Sequence, residues 1–244
     1  MFKNIVILTG AGVSAESGIP VFRSETGLWE NERVEDVCVP SALVRNPEKV
    51  HGFYNKLRRE VKEKQPNAAH LAIARLQREW PAKSGGSAAL VTQNIDNMHE
   101  KAGSVDPIHM HGYLFSMLCT ACRRRFPFEG DSHPGDACPL CGKPRTRPDI
   151  VFFEEMPYQM DRIGELLSKC DLFMSIGTSG VVYPAAGFCE VAKAAGALCV
   201  EFNLAPSATV SRFDYGLYGK ATRTVPAFVD RLLEDGQALR EVPA

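Results

Sequence analysis

Short apolar runs punctuate the chain, and each is closed by small or polar residues. Residues 4–10 (NIVILTG), 88–94 (AALVTQN), 171–179 (DLFMSIGTS) and 197–203 (ALCVEFN) read as buried strands of a parallel sheet, with 222–226 (TRTVP) a weaker fifth. Helical segments fall between or after them, over 68–80 (AAHLAIARLQREW), 160–170, 184–196 and 226–235. Alternating strand and helix predicts an α/β fold, a Rossmann-like doubly wound parallel sheet. Such sheets bind ligands at the carboxyl ends of their strands. The polar signatures TGAG, TQNID, GTS and EFN each close one of these runs, so four strand ends are expected to converge on one crevice.

Two stretches break the alternation. Residues 31–66 are charged and helical in pattern, and residues 112–148 are rich in Cys, Pro, Gly and Arg. The second stretch is too poor in apolar residues to build a core of its own. Together they are expected to form a smaller module, part helical (31–66) and part ribbon (112–148). The Rossmann-like part is then drawn from 1–30, 67–111 and 149–244 of one domain.

Bulk properties narrow the function classes. A chain of 244 residues, 45% apolar and 23% charged, can bury a real core. A net charge of −1 gives no electrostatic case for nucleic acid or an anionic membrane as main partner. The apolar start is too short for a signal peptide and is interrupted by glycines, and no run approaches the roughly 20 apolar residues that span a bilayer. Eight cysteines without a secretory signal point to a reducing compartment, the cytoplasm, and to metal rather than disulfides.

Four of those cysteines form two C-x-x-C knuckles, Cys119/Cys122 and Cys138/Cys141, fifteen residues apart. At that spacing four thiolates close a tetrahedral zinc site with no open position, so the one zinc is expected to be structural. Two disulfides or free thiols are the alternatives. Cys170, Cys189 and Cys199 lie in apolar segments and read as core packing, whereas Cys38 has no assigned place.

The stretch TGAGVSAESGIPVFRSETGLW (9–29) follows the first strand. Gly10-Ala-Gly12 is followed by Val-Ser-Ala, so the dinucleotide fingerprint G-x-G-x-x-G fails, and no ribose-binding acid is evident about 20 residues on. Two readings remain, a tight strand-to-helix turn or a loop whose exposed N–H groups approach a phosphate.

Taken in order, Thr9–Trp29, Thr92-Gln-Asn-Ile-Asp96, His109-Met-His111-Gly112, the paired knuckles and Gly177-Thr-Ser179 resemble the sirtuins, NAD-dependent protein deacylases, and among them the bacterial class III enzymes. The likeness covers essentially the whole chain. It implies that Gly10, Ala11, Gly12, Ser14 and Ala15 surround the NAD phosphates. Phe22, Arg23 and Trp29 would belong to a loop closing over the nicotinamide ribose. Gln93, Asn94, Ile95 and Asp96 would line the nicotinamide and ribose pocket. Gly177, Thr178 and Ser179 would contact phosphate and ribose, Asn203, Leu204 and Ala205 the adenosine half, with Ala221 near the adenine.

The implied reaction breaks the glycosidic bond of NAD as an acyl-lysine amide oxygen attacks the ribose carbon. That requires a dry site and close alignment. A ribose hydroxyl must then lose a proton, and a histidine suits that task near neutral pH. His109 and His111 lie two apart in an extended segment and should face opposite sides, so only one reaches the crevice. The family pattern H-G selects His111 as base, with Asn94 and Asp96 completing the catalytic group. His51, His70, His99 and His133 are read as structural.

On the substrate side, Tyr54, Arg58, Val151, Phe152 and Glu155 are implied, with two departures. Class III relatives that remove acidic acyl groups such as succinyl resemble one another in a Tyr-x-x-Arg pair. Here Leu57 stands at +3 from Tyr54 and Arg58 at +4, so Arg58 either reaches an acyl carboxylate or belongs to a solvated basic face. Glu154 stands where relatives usually have glycine, and a carboxylate there would favour basic residues flanking the target lysine. The expected partner is an acyl-lysine of a protein, met by a monomer. An NAD glycohydrolase or ADP-ribosyltransferase using the same pocket is the competing enzyme class, and a non-catalytic zinc-ribbon adaptor the competing non-enzyme.

Overall fold

The structure is a computed structural model and describes residues 2–21, 28–29 (backbone) and 32–236. From the N-terminus, β1 (Asn4–Thr9) leads into a glycine-containing loop, then a short ladder of β2 (Leu28–Trp29) and β3 (Glu32–Arg33). Helices α1 (Val34–Val37), α2 (Pro40–Arg45) and α3 (Pro47–Lys62) follow, then α4 (Ala68–Ser84), β4 (Ser87–Thr92), α5 (Met98–Lys101) and β5 (Ile108–His109). The ribbon contributes β6 (Gly112–Cys119), β7 (Arg125–Pro127) and β8 (Thr146–Ile150). The chain closes with α6 (Met160–Leu167), β9 (Leu172–Ile176), α7 (Phe188–Ala194), β10 (Leu198–Asn203), β11 (Tyr215–Tyr218) and α8 (Ala221–Asp235).

Six strands make one parallel sheet in the order β11-β10-β9-β1-β4-β5. Strand order runs outward in one direction from β1 and in the other from β9, so these neighbours form the topological switch point where a crevice opens. Alternate side chains of the central strands feed two cores. Ile5 and Ile7 of β1 pack with Ile73, Trp80 and Phe228 of α4 and α8, whereas Val6 and Leu8 pack with Ile163 and Phe188 on the opposite face. Cys170, Cys189 and Cys199 are buried in the second core, as their apolar settings suggested. No helix among the described residues is long and apolar enough to cross a membrane.

A third core lies outside the sheet. Val50, Phe53, Tyr54, Leu57 and Val61 form the apolar face of α3 and pack on Leu114, Ile150 and Phe152 of the ribbon side. Asn46 caps this helix by accepting the Lys49 N–H, a contact worth about 1 kcal/mol. The ribbon is an antiparallel sheet in the order β7-β6-β8. Its last strand runs to Ile150, so the boundary expected after residue 148 falls inside β8.

One expected strand is absent. Residues 222–226 are the first turns of α8, because Val225, Phe228, Val229 and Leu232 recur at helical spacing into the first core. The sixth strand is instead 215–218, whose side chains are half-buried or exposed and carry little apolar signal.

Candidate active site

The loops after β1 and β9 are laced together at the switch point. The Gly10 N–H donates to the Ile176 carbonyl and the Gly12 N–H to the Gly177 carbonyl, both at 2.9 Å. A β-carbon on Gly12 would stand 2.7 Å from Gly177 Cα, and Gly177 itself has φ +63°. Loop-on-loop contact therefore requires these glycines before any ligand arrives.

Beneath them opens a cavity of about 1210 Å³, above the roughly 300–1,000 Å³ of single small-molecule pockets. Its sheet-side wall contains Gly10, Ala11, Ser14, Gln93, Asn94, Ile95, Asp96, Gly177, Thr178 and Ser179, together with His111. Gly12, Ala15, Asn203, Leu204, Ala205 and Ala221 lie off this wall. Asn203 ends β10, with its Nδ2 donating to the Thr178 carbonyl at 2.8 Å, and Ala221 opens α8. Phe22 and Arg23 fall outside the described residues, and Trp29 is described only by backbone, paired with Glu32.

Under the wall runs a buried polar chain. Asn67 N–H donates to His70 Nδ1, which leaves the proton on Nε2, facing Ser14 Oγ at 3.2 Å. Ser14 donates to Asp96 Oδ2 at 3.0 Å and accepts from Asn94 Nδ2 at 3.2 Å. Asp96 also accepts the Met98 N–H through Oδ1. Beside this chain Thr9 donates to Thr92 and faces His99 Nε2 at 3.0 Å. Burial drives His70 down to about 4 and His99 well below the usual histidine range, so both are neutral hydrogen-bonding groups.

The two histidines around Met110 take opposite roles. His111 Nδ1 lies 3.1 Å from the Gln93 carbonyl, an acceptor only, so the proton sits on Nδ1 and Nε2 keeps a lone pair. Burial lowers its pKa, partly offset by that carbonyl, so His111 is an unprotonated base at neutral pH. His109 has acceptors at both nitrogens, the Asn94 carbonyl at 3.0 Å and Glu100 Oε1 at 2.6 Å. Burial opposes its charge, but the Glu100 carboxylate prevails and raises its pKa. The imidazolium thereby clamps the loop that carries Asn94 and Asp96.

At the far end of β6, Cys119 and Cys141 sulfurs lie 3.7 Å apart and those of Cys122 and Cys138 3.9 Å apart. All four lie within 4.8 Å of one another. A tetrahedral site with Zn–S near 2.3 Å needs sulfurs about 3.8 Å apart. The donor set fits one structural zinc.

The Sir2 family model matches residues 10–184. The chain belongs to the Sir2 family. It is 49% identical over 235 residues to an NAD-dependent protein deacylase of Vibrio vulnificus, covering 95% of this chain and 94% of that one. A solved Sir2 homologue in complex with NAD superposes with a TM-score of 0.84 at 39% identity, covering 95% and 90% of the two chains. A Sir2 complex with a p53 peptide and NAD+ superposes at 0.76 with 29% identity, covering 96% and 94%.

The substrate side of this Sir2 chain departs from the sequence reading. Tyr54 is fully buried, with its hydroxyl toward the Cys38 thiol, and does not line the cavity. Arg58, 1% exposed, is likewise turned away. Its Nε donates to the Leu114 carbonyl at 2.9 Å, its Nη1 to Asn55 and the Gly130 carbonyl, and its plane covers Phe128. Leu57 and Cys38 line the cavity instead.

Val151, Phe152 and Glu155 do line it, but Glu155 is committed to a bidentate pair with Arg147 and accepts the Phe152 N–H. The N–H groups of Val151 and Phe153 go to the carbonyls of His111 and Cys38. Residues 151–155 are therefore a braced turn rather than a strand edge. Glu154 lines the cavity mouth at φ +75°.

The structural reading of His70 agrees with its buried capping place, but sequence reasoning missed its contact with Ser14 and the His109–Glu100 clamp. For His70 a signal was present, since Asn67-x-x-His70 forms a capping box with the histidine in the usual glutamate position.

Proposed function

We propose that this chain is an NAD-dependent protein-lysine deacylase, which moves an acyl group from lysine to ADP-ribose and releases nicotinamide. The carrying observation is His111, a half-buried base whose Nε2 lone pair is kept available by the Gln93 carbonyl, in a cavity with room for two reactants. Bound NAD supplies the leaving nicotinamide and the ribosyl acceptor. Gly10, Ala11, Ser14 and Gly177–Ser179 offer close backbone approach to its phosphates, and Gln93–Asp96 hold the ribose end. Asn94, Asp96 and Ser14 fix one another, so the loop needs little reorganisation when the reactants meet. His111 takes up the hydroxyl proton.

The chain is read as acting as a monomer on acylated lysines of proteins. Thiols kept reduced for zinc support the cytoplasm, and the charge balance supports neither nucleic acid nor membrane as partner. The chain is read as one catalytic domain with a zinc-bearing small module. The desuccinylase activity expected from Arg58 is not proposed, because its guanidinium is spent inside that module.

The test is nicotinamide release by the purified chain with NAD, with and without an acetyl-lysine peptide. Release that requires the peptide, with free lysine appearing in step, is expected. His111→Ala should cut kcat/KM by about 10²–10⁴-fold. Equal release without peptide would move the chain to the glycohydrolases.

A further inference from the structure

Helix α3 presents two faces with different duties. Leu57, Glu60 and Val61, at i, i+3 and i+4, line the cavity, with Lys64 one turn on. The adjoining stripe serves the ribbon. His51 Nδ1 meets Ser132 Oγ at 2.9 Å, Asn55 Nδ2 donates to the Ser132 carbonyl at 2.9 Å, and Arg58 Nη1 donates to the Gly130 carbonyl at 2.8 Å. The helix thus turns leucine and valine to the cavity and arginine away from it.

The small-module end of the cavity is walled by Val34, Cys38, Leu57, Val61, Leu114 and Phe152, each less than a tenth exposed. Burial raises the Cys38 pKa, so its thiol is uncharged. Two carboxylates also line the cavity, each ion-paired at the surface, Glu35 with Arg33 at 3.4 Å and Glu60 with Lys56 at 3.8 Å. Lys64 is the one lysine or arginine among the described lining residues, and its Nζ lies 3.3 Å from the β-carbon position of Gly18, on the cofactor loop.

We propose that this end of the cavity takes a neutral aliphatic acyl chain longer than acetyl and rejects one that ends in a carboxylate. The inference rests on the deacylase reading of the same site. Each methylene moved from water into such a wall is worth about a fourfold gain in affinity. An acyl carboxylate against these six side chains would lose its hydration and meet no positive charge among them.

Butyryl and succinyl provide the decisive pair, since both are four-carbon chains that differ in a methyl against a carboxylate. The full chain is assayed with NAD on one peptide carrying acetyl-, butyryl- or succinyl-lysine. The expected result is a KM severalfold lower for butyryl than for acetyl, and a kcat/KM for succinyl at least tenfold below butyryl. Leu57→Arg should narrow the butyryl-to-succinyl gap. Succinyl turnover equal to or above butyryl in the unsubstituted chain overturns the proposal, as does a butyryl KM no lower than acetyl. No turnover on any of the three peptides overturns the deacylase reading itself.

Discussion

Where the cavity meets the sheet, its wall is backbone and buried polar side chains held at strand ends. Where it meets the small module, its wall is the apolar side of short helices and a braced turn. The first half tolerates no added carbon, since a β-carbon on Gly12 meets Gly177 backbone at 2.7 Å. The second is set by which side chain a helix happens to turn inward, as Leu57 and Arg58 show. A dinucleotide pocket built on a switch point is fixed by topology, whereas the acyl pocket proposed on one helix face should be open to respecification by a single residue.

The largest way to break this contrast is to remove the small module. Cys138→Ser deprives the zinc of one ligand, and structural zinc contributes on the order of 10–16 kcal/mol in small domains. The expected outcome is loss of bound metal and of deacylation, with part of the far-ultraviolet signal of the α/β part retained. Unchanged metal content and activity would contradict the role given to the four thiolates.

Next comes the sheet half. Gly12→Ala forces the two loops apart, so the KM for NAD should rise at least tenfold while the peptide KM moves little. Equal rises in both would erase the division between the halves.

Acid separates the halves more gently. Unfolded histidines bind protons near pH 6.5, whereas burial holds His70 in the fold down to about 4 and His99 well below the usual range. The unfolded state therefore holds more protons below pH 6.5, and stability falls as pH drops from about 6.5 toward 4. For His70 alone the loss approaches about 3 kcal/mol. His109 acts the other way, because its raised pKa adds stability at low pH that is lost as pH rises through the folded value. Denaturant midpoints between pH 7 and 5 should fall, and His70→Asn should flatten the slope. Activity should also decline below pH 6.5 as His111 protonates, its pKa being lowered by burial.

The smallest effect is expected at Glu154, a left-handed residue at the cavity mouth. Glu154→Gly relieves about 1 kcal/mol of backbone strain and should raise Tm by about 2–4 °C. Any preference for arginine or lysine beside the target should weaken two- to fivefold, measured as ratios of kcat/KM on matched peptides.

The legible parts of the sequence were those where local pattern and function coincide. Three of the four expected strand ends, those closed by TGAG, TQNID and GTS, line the crevice, while EFN stands off it; the two-residue offset separated His111 from His109, and the knuckles gathered four sulfurs. Residues 222–226 misled because β-branched side chains there pack as a helix against the sheet. Arg58 misled because spacing tells which residues share a helix face but not what that face meets. The capping role of His70 was hidden in a helix start that also serves Ser14.

Strand β6 has His111 immediately before it and Cys119 as its last residue, eight residues of extended chain or about 26 Å. The metal thus never approaches the reacting atoms, yet it anchors the rail on which the base is mounted. Chelation should accordingly silence the enzyme by letting that rail sag, without competition from either reactant. Activity recovered after chelation should then follow the zinc returned, up to one ion per chain.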